Sequence, residues 1–359
     1  MTSETESGEV PPPSLNHKEL GDNCYKKGDY KGAITNYSNA IAVDPQNALL
    51  YLNRAAASIM NLAYAEAIQD CNTTIKYNID QVTNAKAYFR LVSCFKGLGK
   101  LDEAIDAATK GLACDNTNNN MIKELQNMNS VKSTLPVITG AINDNKVTRN
   151  ILLQLESYIK DLGNNFRELN ILKVKCLLYY KRFHDAYTVT NTIMRSAASN
   201  DIELIDIRAQ CLYKMGDLEN AKTHLQSALR LDPDNKNIRN FYKKIKEIED
   251  KKEAGATAFK GSNYTDAIAL WSECINLDPS NDSYNVKLYN NRASALSKVK
   301  KYQEAIADLD KAIGIDDTYT KAYLKRADCY YALGGVDKIN LCIKDYEKAA
   351  ELSNEEEAR

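Results

Sequence analysis

The sequence predicts an all-α chain, a superhelical solenoid of about nine helix-turn-helix repeats, and three observations predict it. One segment returns: Leu50-Tyr51-Leu52-Asn53-Arg54-Ala55 reappears downstream as Leu288-Tyr289-Asn290-Asn291-Arg292-Ala293. Each copy follows a Gly-containing helix-turn-helix and an Asp-Pro pair, and each precedes a Lys-Ala-Tyr helix start. A small residue recurs at Ala33, Ala67, Ala104, Ala186, Ala221, Ala267 and Ala305, with intervals of 34 residues from Ala33 and 35 from Ala186. Three positions before each stands an aromatic or Leu: Tyr30, Tyr64, Leu101, Phe183, Leu218, Tyr264 and Tyr302. The small residue lets two antiparallel helices approach, and the aromatic fills the space beside them. A hairpin of this kind cannot bury its apolar face alone, so repeats stack. No strand-period alternation interrupts the pattern.

The elements follow in order. Met1 to Pro13, ending in Pro11-Pro12-Pro13, reads as a disordered tail. Residues 14–117 form a first block with three hairpins between Ser14 and Asp115. Residues 118–235 form a middle block. In it a turn-prone stretch from Asn116 to Asn120 leads to a helix from Met121 to about Val131 and a degenerate hairpin around Leu135 to Leu162. Two clearer hairpins follow, Phe166 to Asn200 and Asp201 to Asp234. Residues 236–359 form the last block, opened by an almost unbroken helix from Lys236 to Lys260. Its mixed-sign run, Lys243 to Glu253, fits a solvated connecting helix rather than an anion-binding tract. Three more hairpins follow, the final one irregular near Gly334-Gly335-Val336. Asp44-Pro45, Asp232-Pro233 and Asp278-Pro279 end second helices, because Pro cannot continue the amide ladder. First helices of successive hairpins line the concave face, which suits an extended partner peptide.

Composition narrows the function. The chain has 359 residues, 44% hydrophobic and 26% charged, with a formal net charge of −1. It therefore has no overall field for nucleic acid or an anionic membrane, and any acidic ligand must be held by a local cluster. No apolar run approaches the ~20 residues of a membrane span, and the first residues hold no signal core. The nine cysteines (Cys24, Cys71, Cys94, Cys114, Cys176, Cys211, Cys274, Cys329 and Cys342) form no CxxC pair and read as small buried thiols in a reducing compartment. Cytoplasm is expected, with the nucleus as the other reducing location. No cofactor or metal is expected: no Gly-rich phosphate loop, metal-spaced His/Cys set or nucleophile elbow stands in the chain, which argues against an enzyme. Trp271 falls where such repeats bury an aromatic and is expected in the core.

The concave face carries the chemistry. Lys18 and Asp22 lie four apart on the first helix of the first repeat and so share a face. Asn53 takes the adjoining place in the second repeat, and Lys86 and Arg90, again four apart, lie in the third. The last block repeats the arrangement with Lys252 and Ala256, then Asn291, then Lys321 and Lys325. Cations and an amide gathered on one groove wall suit a carboxylate ligand. Arg326, beside Lys325, points elsewhere. In the middle block Leu172 and Ile207 stand at the place of Asn53, which removes the donor. Packing accounts for them, with an apolar groove for client polypeptides as the sharper alternative.

The period and pattern resemble the tetratricopeptide repeat, and both residue sets look like the two-carboxylate clamp of chaperone-binding tetratricopeptide domains. That resemblance implies capture of the terminal Asp of the Glu-Glu-Val-Asp tails of heat-shock protein 70 and heat-shock protein 90. The family pattern is Lys-x-x-x-Asn, then Asn, then Lys-x-x-x-Arg. Asp22 replaces an amide donor with a carboxylate that repels the ligand unless it is protonated or paired with Lys18. Ala256 only deletes the donor, and Lys325 keeps charge without the bidentate fork. The first clamp is therefore expected to be penalised and the second merely weakened.

Nearly the whole chain resembles the nine-repeat J-domain co-chaperones of the DnaJ homologue subfamily C member seven type. The likeness is strongest in Lys252-Glu253-Ala254-Gly255, Val286 to Arg292, Asp316 to Leu324 and Lys344-Asp345-Tyr346-Glu347-Lys348. Members of that family continue into a J-domain whose His-Pro-Asp loop stimulates the ATPase of heat-shock protein 70. Here the three histidines stand in His17-Lys18, His184-Asp185 and His224-Leu225, and a J-domain is expected to begin about where this chain ends. The resemblance implies a co-chaperone adaptor that helps client transfer. The alternative is a general tetratricopeptide scaffold whose concave face binds other proteins.

Overall fold

A computed structural model describes residues 13–196 and 200–357, so all of the expected N-terminal tail except Pro13 lies outside the described residues. Among these there are eighteen α-helices and no strand. The chain divides into two compact units, one up to Tyr179 and one from Tyr180. The first unit contains α1 (Pro13–Lys26), α2 (Tyr30–Val43), α3 (Ala48–Met60), α4 (Tyr64–Tyr77), α5 (Gln81–Gly97), α6 (Leu101–Cys114), α7 (Asn119–Asn143), α8 (Arg149–Leu162) and α9 (Arg167–Tyr179). The second contains α10 (Phe183–Ser196), α11 (Ile202–Lys214), α12 (Leu218–Leu231), α13 (Lys236–Lys260), α14 (Tyr264–Leu277), α15 (Asp282–Lys298), α16 (Tyr302–Ile315), α17 (Thr320–Leu333) and α18 (Val336–Glu357). Within each unit a helix packs chiefly on its chain neighbours, as in a one-dimensional stack.

The recurring residues do what their spacing demands. Each aromatic or Leu of the series is the first residue of a second helix, and each of the seven alanines is fully buried. Asp29, Asp217 and Asn263 sit just before α2, α12 and α14 and accept a backbone N–H of the first turn, satisfying donors the helix cannot. The tight turn inside a hairpin needs one left-handed residue, supplied by Gly28 at φ 79° and Gly216 at φ 84°. Lys300 holds the same conformation at φ 62° without that freedom. Asp44, Asp232 and Asp278 cap the C-termini of α2, α12 and α14 ahead of their prolines.

One expected boundary differs. Met121–Val131 and the segment after Leu135 form a single helix, α7, with Pro136 inside it. Met128, Val131, Leu135 and Ile138 are all buried, at spacings of three and four residues, and that continuous apolar stripe carries the helix through the proline. Lys236–Lys260 is one helix, as expected, but it is not merely a solvated connector. Ile238, Ile245, Ile248 and Gly255 are buried, and Lys222, Lys244 and Lys251 tie α13 into ion pairs. All nine cysteines are free thiols and seven are buried.

Candidate functional site

Two clefts, one in each unit, are built from matching positions. Gly21, Asp22, Tyr25, Lys26 and Tyr37 in the first stand where Gly255, Ala256, Phe259, Lys260 and Trp271 stand in the second. The architecture beneath them is the same. Tyr25 meets Tyr30 edge-on at 5.5 Å, and Phe259 meets Tyr264 edge-on at 5.4 Å. Gly21 lies under the Tyr37 ring, where an added Cβ would come within 2.7 Å. Gly255 lies under Trp271, where a Cβ would come within 2.6 Å of Nε1.

The Asn-Arg pair of the returning segment divides its labour. Arg54 donates from Nε and Nη2 to the two Asp70 oxygens at 2.9 and 2.7 Å, and from Nη1 to Ser38 Oγ at 3.0 Å. Arg292 repeats this with Asp308, both bonds 2.7 Å, and with Ser272 Oγ at 2.8 Å. Such a fork fixes the rotation of the helix that bears it. The residue before it, one helical step round, is thereby turned toward the cleft. Among the described residues, neither the Asn53 nor the Asn291 carboxamide has a hydrogen-bond partner. Both are half-buried.

The first cleft, of about 200 Å³, is lined by Asp22, Tyr25, Lys26, Tyr37, Asn53, Ala56 and Arg90. Of the residues singled out from sequence, Asp22, Asn53 and Arg90 are therefore together. Lys18 joins them through an ion pair with Asp22 at 2.8 Å, whereas Lys86 is exposed and outside the lining. The Tyr37 hydroxyl also donates to Asp22, at 2.6 Å. Burial alone would raise the Asp22 carboxyl, but the bonds from Lys18 and Tyr37 outweigh it and hold the group below its ordinary value. Asp22 is thus an ionised carboxylate paired with Lys18. Arg90 is half-buried and donates to the Leu52 carbonyl.

The second cleft is larger, about 490 Å³, and Ala256, Phe259, Trp271, Asn291, Ser294 and Lys325 are among the residues lining it. Lys260 and Lys298 add cations to its wall, and Asp328 adds a carboxylate that accepts from the Tyr346 hydroxyl. Lys325 donates to Ser294 Oγ and to the Asn290 carbonyl at 3.4 Å, the counterpart of Arg90 on Leu52. Burial, then the charge of Lys321, lowers the Lys325 ammonium from its ordinary value. Lys252 sits 5.6 Å from the Tyr284 ring centroid, and Lys321 is exposed; neither lines the cleft.

Sequence reasoning missed Tyr37, which determines the state of Asp22, and Lys26, Lys260 and Lys298 on the walls. The signal was available for Tyr37 and Trp271, since they occupy the same repeat position above the same glycine. Trp271 is buried, as expected, but it also walls the cleft and donates to the Lys252 carbonyl at 3.3 Å. Leu172 and Ile207 are buried side chains of the repeat cores, so neither offers an apolar surface.

Family models described as TPR repeat and Tetratricopeptide repeat match residues 21–58, 85–118, 203–235 and 286–319. The human DnaJ homolog subfamily C member 7 is 31% identical over 95% of this chain and 67% of its own length. The chain belongs to the DnaJ homolog subfamily C member 7 family. A homolog from Dictyostelium discoideum is 29% identical over 95% of this chain and 63% of its own length, so the chain spans about two thirds of these relatives. The solved TPR domain of P58(IPK) superposes with a TM-score of 0.66 at 22% identity, covering 95% of this chain and 93% of that one. The fold is the all-α tetratricopeptide solenoid. No helix among the described residues is long and apolar enough to cross a membrane, and no cluster of three or more His, Cys, Asp or Glu that could hold a metal lies among them.

Proposed function

We propose that the chain is a co-chaperone adaptor that binds the C-terminal Glu-Glu-Val-Asp tails of heat-shock protein 70 and heat-shock protein 90 in its two clefts. The first clamp lies in residues 14–117 and the second in residues 236–359, while residues 118–235 carry no clamp. The observation that supports this reading most is the pair of uncommitted carboxamides, Asn53 and Asn291, each beside a fully committed Arg and each facing a cleft edged by cations. An amide held without an internal partner next to Arg90 or Lys325 suits a carboxylate oxygen arriving from outside. Family membership supports the chaperone partner. With two tails on one chain, the mutual effective concentration of two chaperones rises and client transfer between them is favoured.

The test is titration with a peptide ending in Glu-Glu-Val-Asp, beside the same peptide amidated at its C-terminus. Binding near micromolar, about −8 kcal/mol, is expected for the free acid, lost on amidation and weakened as salt rises. Asn291→Ala or Lys325→Ala, both of which remove a side chain lining the second cleft, should cost on the order of 1.5–3 kcal/mol there. Equal binding of acid and amide, or binding of neither, removes the clamp and leaves a tetratricopeptide scaffold with other partners.

A further inference from the structure

Resting on the clamp reading, we propose that Asp22 splits ligand specificity between the two clefts. The second cleft prefers a C-terminal residue with a side-chain carboxylate, and the first, while still admitting Asp, prefers one whose side chain is a neutral hydrogen-bond donor, such as Asn or Gln.

The argument starts from what each cleft presents at the same position. In the first, the Asp22 carboxylate lines the same 200 Å³ space as Asn53 and Arg90, so a ligand α-carboxylate held by those two lies close to it. A second carboxylate on the same terminal residue has no free cation in that lining except Lys26. The Lys18 charge is already spent on Asp22 at 2.8 Å, and Arg90 already serves the Leu52 carbonyl. Lys18 and Tyr37 compensate part of the Asp22 charge, and what they leave still disfavours a second carboxylate relative to a neutral amide in so small a cleft. A terminal amide reverses the sign of the contact, because its NH2 donates to an acceptor that is ionised and held in place. Tyr37 fixes that acceptor: its hydroxyl, donating at 2.6 Å, sets the orientation of the carboxylate and disfavours its withdrawal.

In the second cleft Ala256 leaves the equivalent place empty of charge. Trp271 stands where Tyr37 stood and gives its N–H to the Lys252 backbone, so nothing there requires a carboxylate. Lys325 is engaged as Arg90 is, by Ser294 and the Asn290 carbonyl, but Lys260 and Lys298 also line the cleft, against one acid, Asp328, whose carboxylate already accepts from Tyr346. The volume of about 490 Å³ also leaves room for the terminal side chain beside the ammonium groups.

The experiment compares two free-acid peptides, one ending Glu-Glu-Val-Asp and one ending Glu-Glu-Val-Asn, with the amidated form of each. Asn291→Ala silences the second cleft and Asn53→Ala the first, so each is read separately in the full chain. The first cleft is expected to prefer the Asn peptide and the second the Asp peptide, each about tenfold, or ~1.4 kcal/mol. Asp22→Asn should invert the preference of the first cleft while keeping an oxygen to accept from Tyr37. Ala256→Asp, in the roomier cleft, should carry the preference for Asn across, which guards against a folding defect in the first variant. A preference for Asp at both clefts, or one untouched by either substitution, overturns the specificity split and leaves the clamp standing. Amidated peptides that bind as well as the acids overturn the clamp itself.

Discussion

Replacing Asp308 with Ala tests the brace that aims Asn291. The substitution removes both carboxylate oxygens from Arg292 and leaves only the Nη1 bond to Ser272 Oγ at 2.8 Å. The Asp308 side chain is 5% exposed and that of Arg292 18%, so the guanidinium is left largely without water as well as without its counter-ion. Breaking one side of such a buried pair costs about 3–5 kcal/mol. The residual exposure of the arginine puts the expected loss near the lower end, about 3 kcal/mol. The assay is urea unfolding followed by the fluorescence of Trp271, the only tryptophan, which adjoins Ser272 on α14. The double variant Arg292→Met, Asp308→Ala should recover more than half of that loss, because no buried charge remains. The same double variant should still bind a Glu-Glu-Val-Asp peptide poorly at the second cleft, since the fork beside Asn291 is then gone. A single-variant loss below about 1 kcal/mol, or a double variant as unstable as the single, would refute the brace.

Two further perturbations follow from the same reading. Gly255→Ala places a Cβ 2.6 Å from Trp271 Nε1 and 2.9 Å from Cδ1. It should cost about 1–3 kcal/mol through overpacking and shift the Trp271 emission, whereas Gly314→Ala, with nothing within 4 Å of its Cβ, should stabilise α16 by roughly 0.5–1 kcal/mol. His224 occupies, sixteen residues after Arg208, the place that Asp70 and Asp308 hold after Arg54 and Arg292. Burial, then the Arg208 charge, lowers its imidazolium from the ordinary value near 6.5. The unfolded chain therefore binds this proton more readily, so stability present above pH 6.5 falls as the pH drops below it. His224→Asp should abolish that loss in pH-dependent unfolding curves and supply a carboxylate to Arg208, whose buried Nε has no partner.

Helix order was legible because each hairpin announces itself by chemistry that cannot be moved. Ala33 and its counterparts are small where two backbones meet, and Tyr30 and its counterparts open the helix that follows the turn. Only α7 escaped, because Pro136 is a local stop signal and the stripe from Met128 to Ile138 is a tertiary reason to ignore it. The clefts were half legible. Asn53 and Asn291 could be found because their segment recurs, and Lys18 and Asp22 because four residues make one helical turn. The partition of charge was not legible, since a lysine in sequence carries no mark of whether its ammonium faces ligand or a neighbouring acid.

The sequence alone therefore determined the repeat, the helix starts and the family, all of which rest on residues acting within one hairpin and its neighbour. Tertiary structure decided which side chains remain available. Lys18 and Arg90 are engaged inside the first cleft, by Asp22 and the Leu52 carbonyl, while Asn53 is left free. In the second cleft Trp271 and Ala256 replace the Tyr37–Asp22 pair; Lys325 is engaged by Ser294 and the Asn290 carbonyl, while Lys260 and Lys298 face the cleft. The physical reason is that a charge acts on a ligand only through whatever its nearest partners leave uncompensated. Apart from Lys18 and Asp22, one turn apart on α1, those partners come from other helices, fifteen or more residues away along the chain.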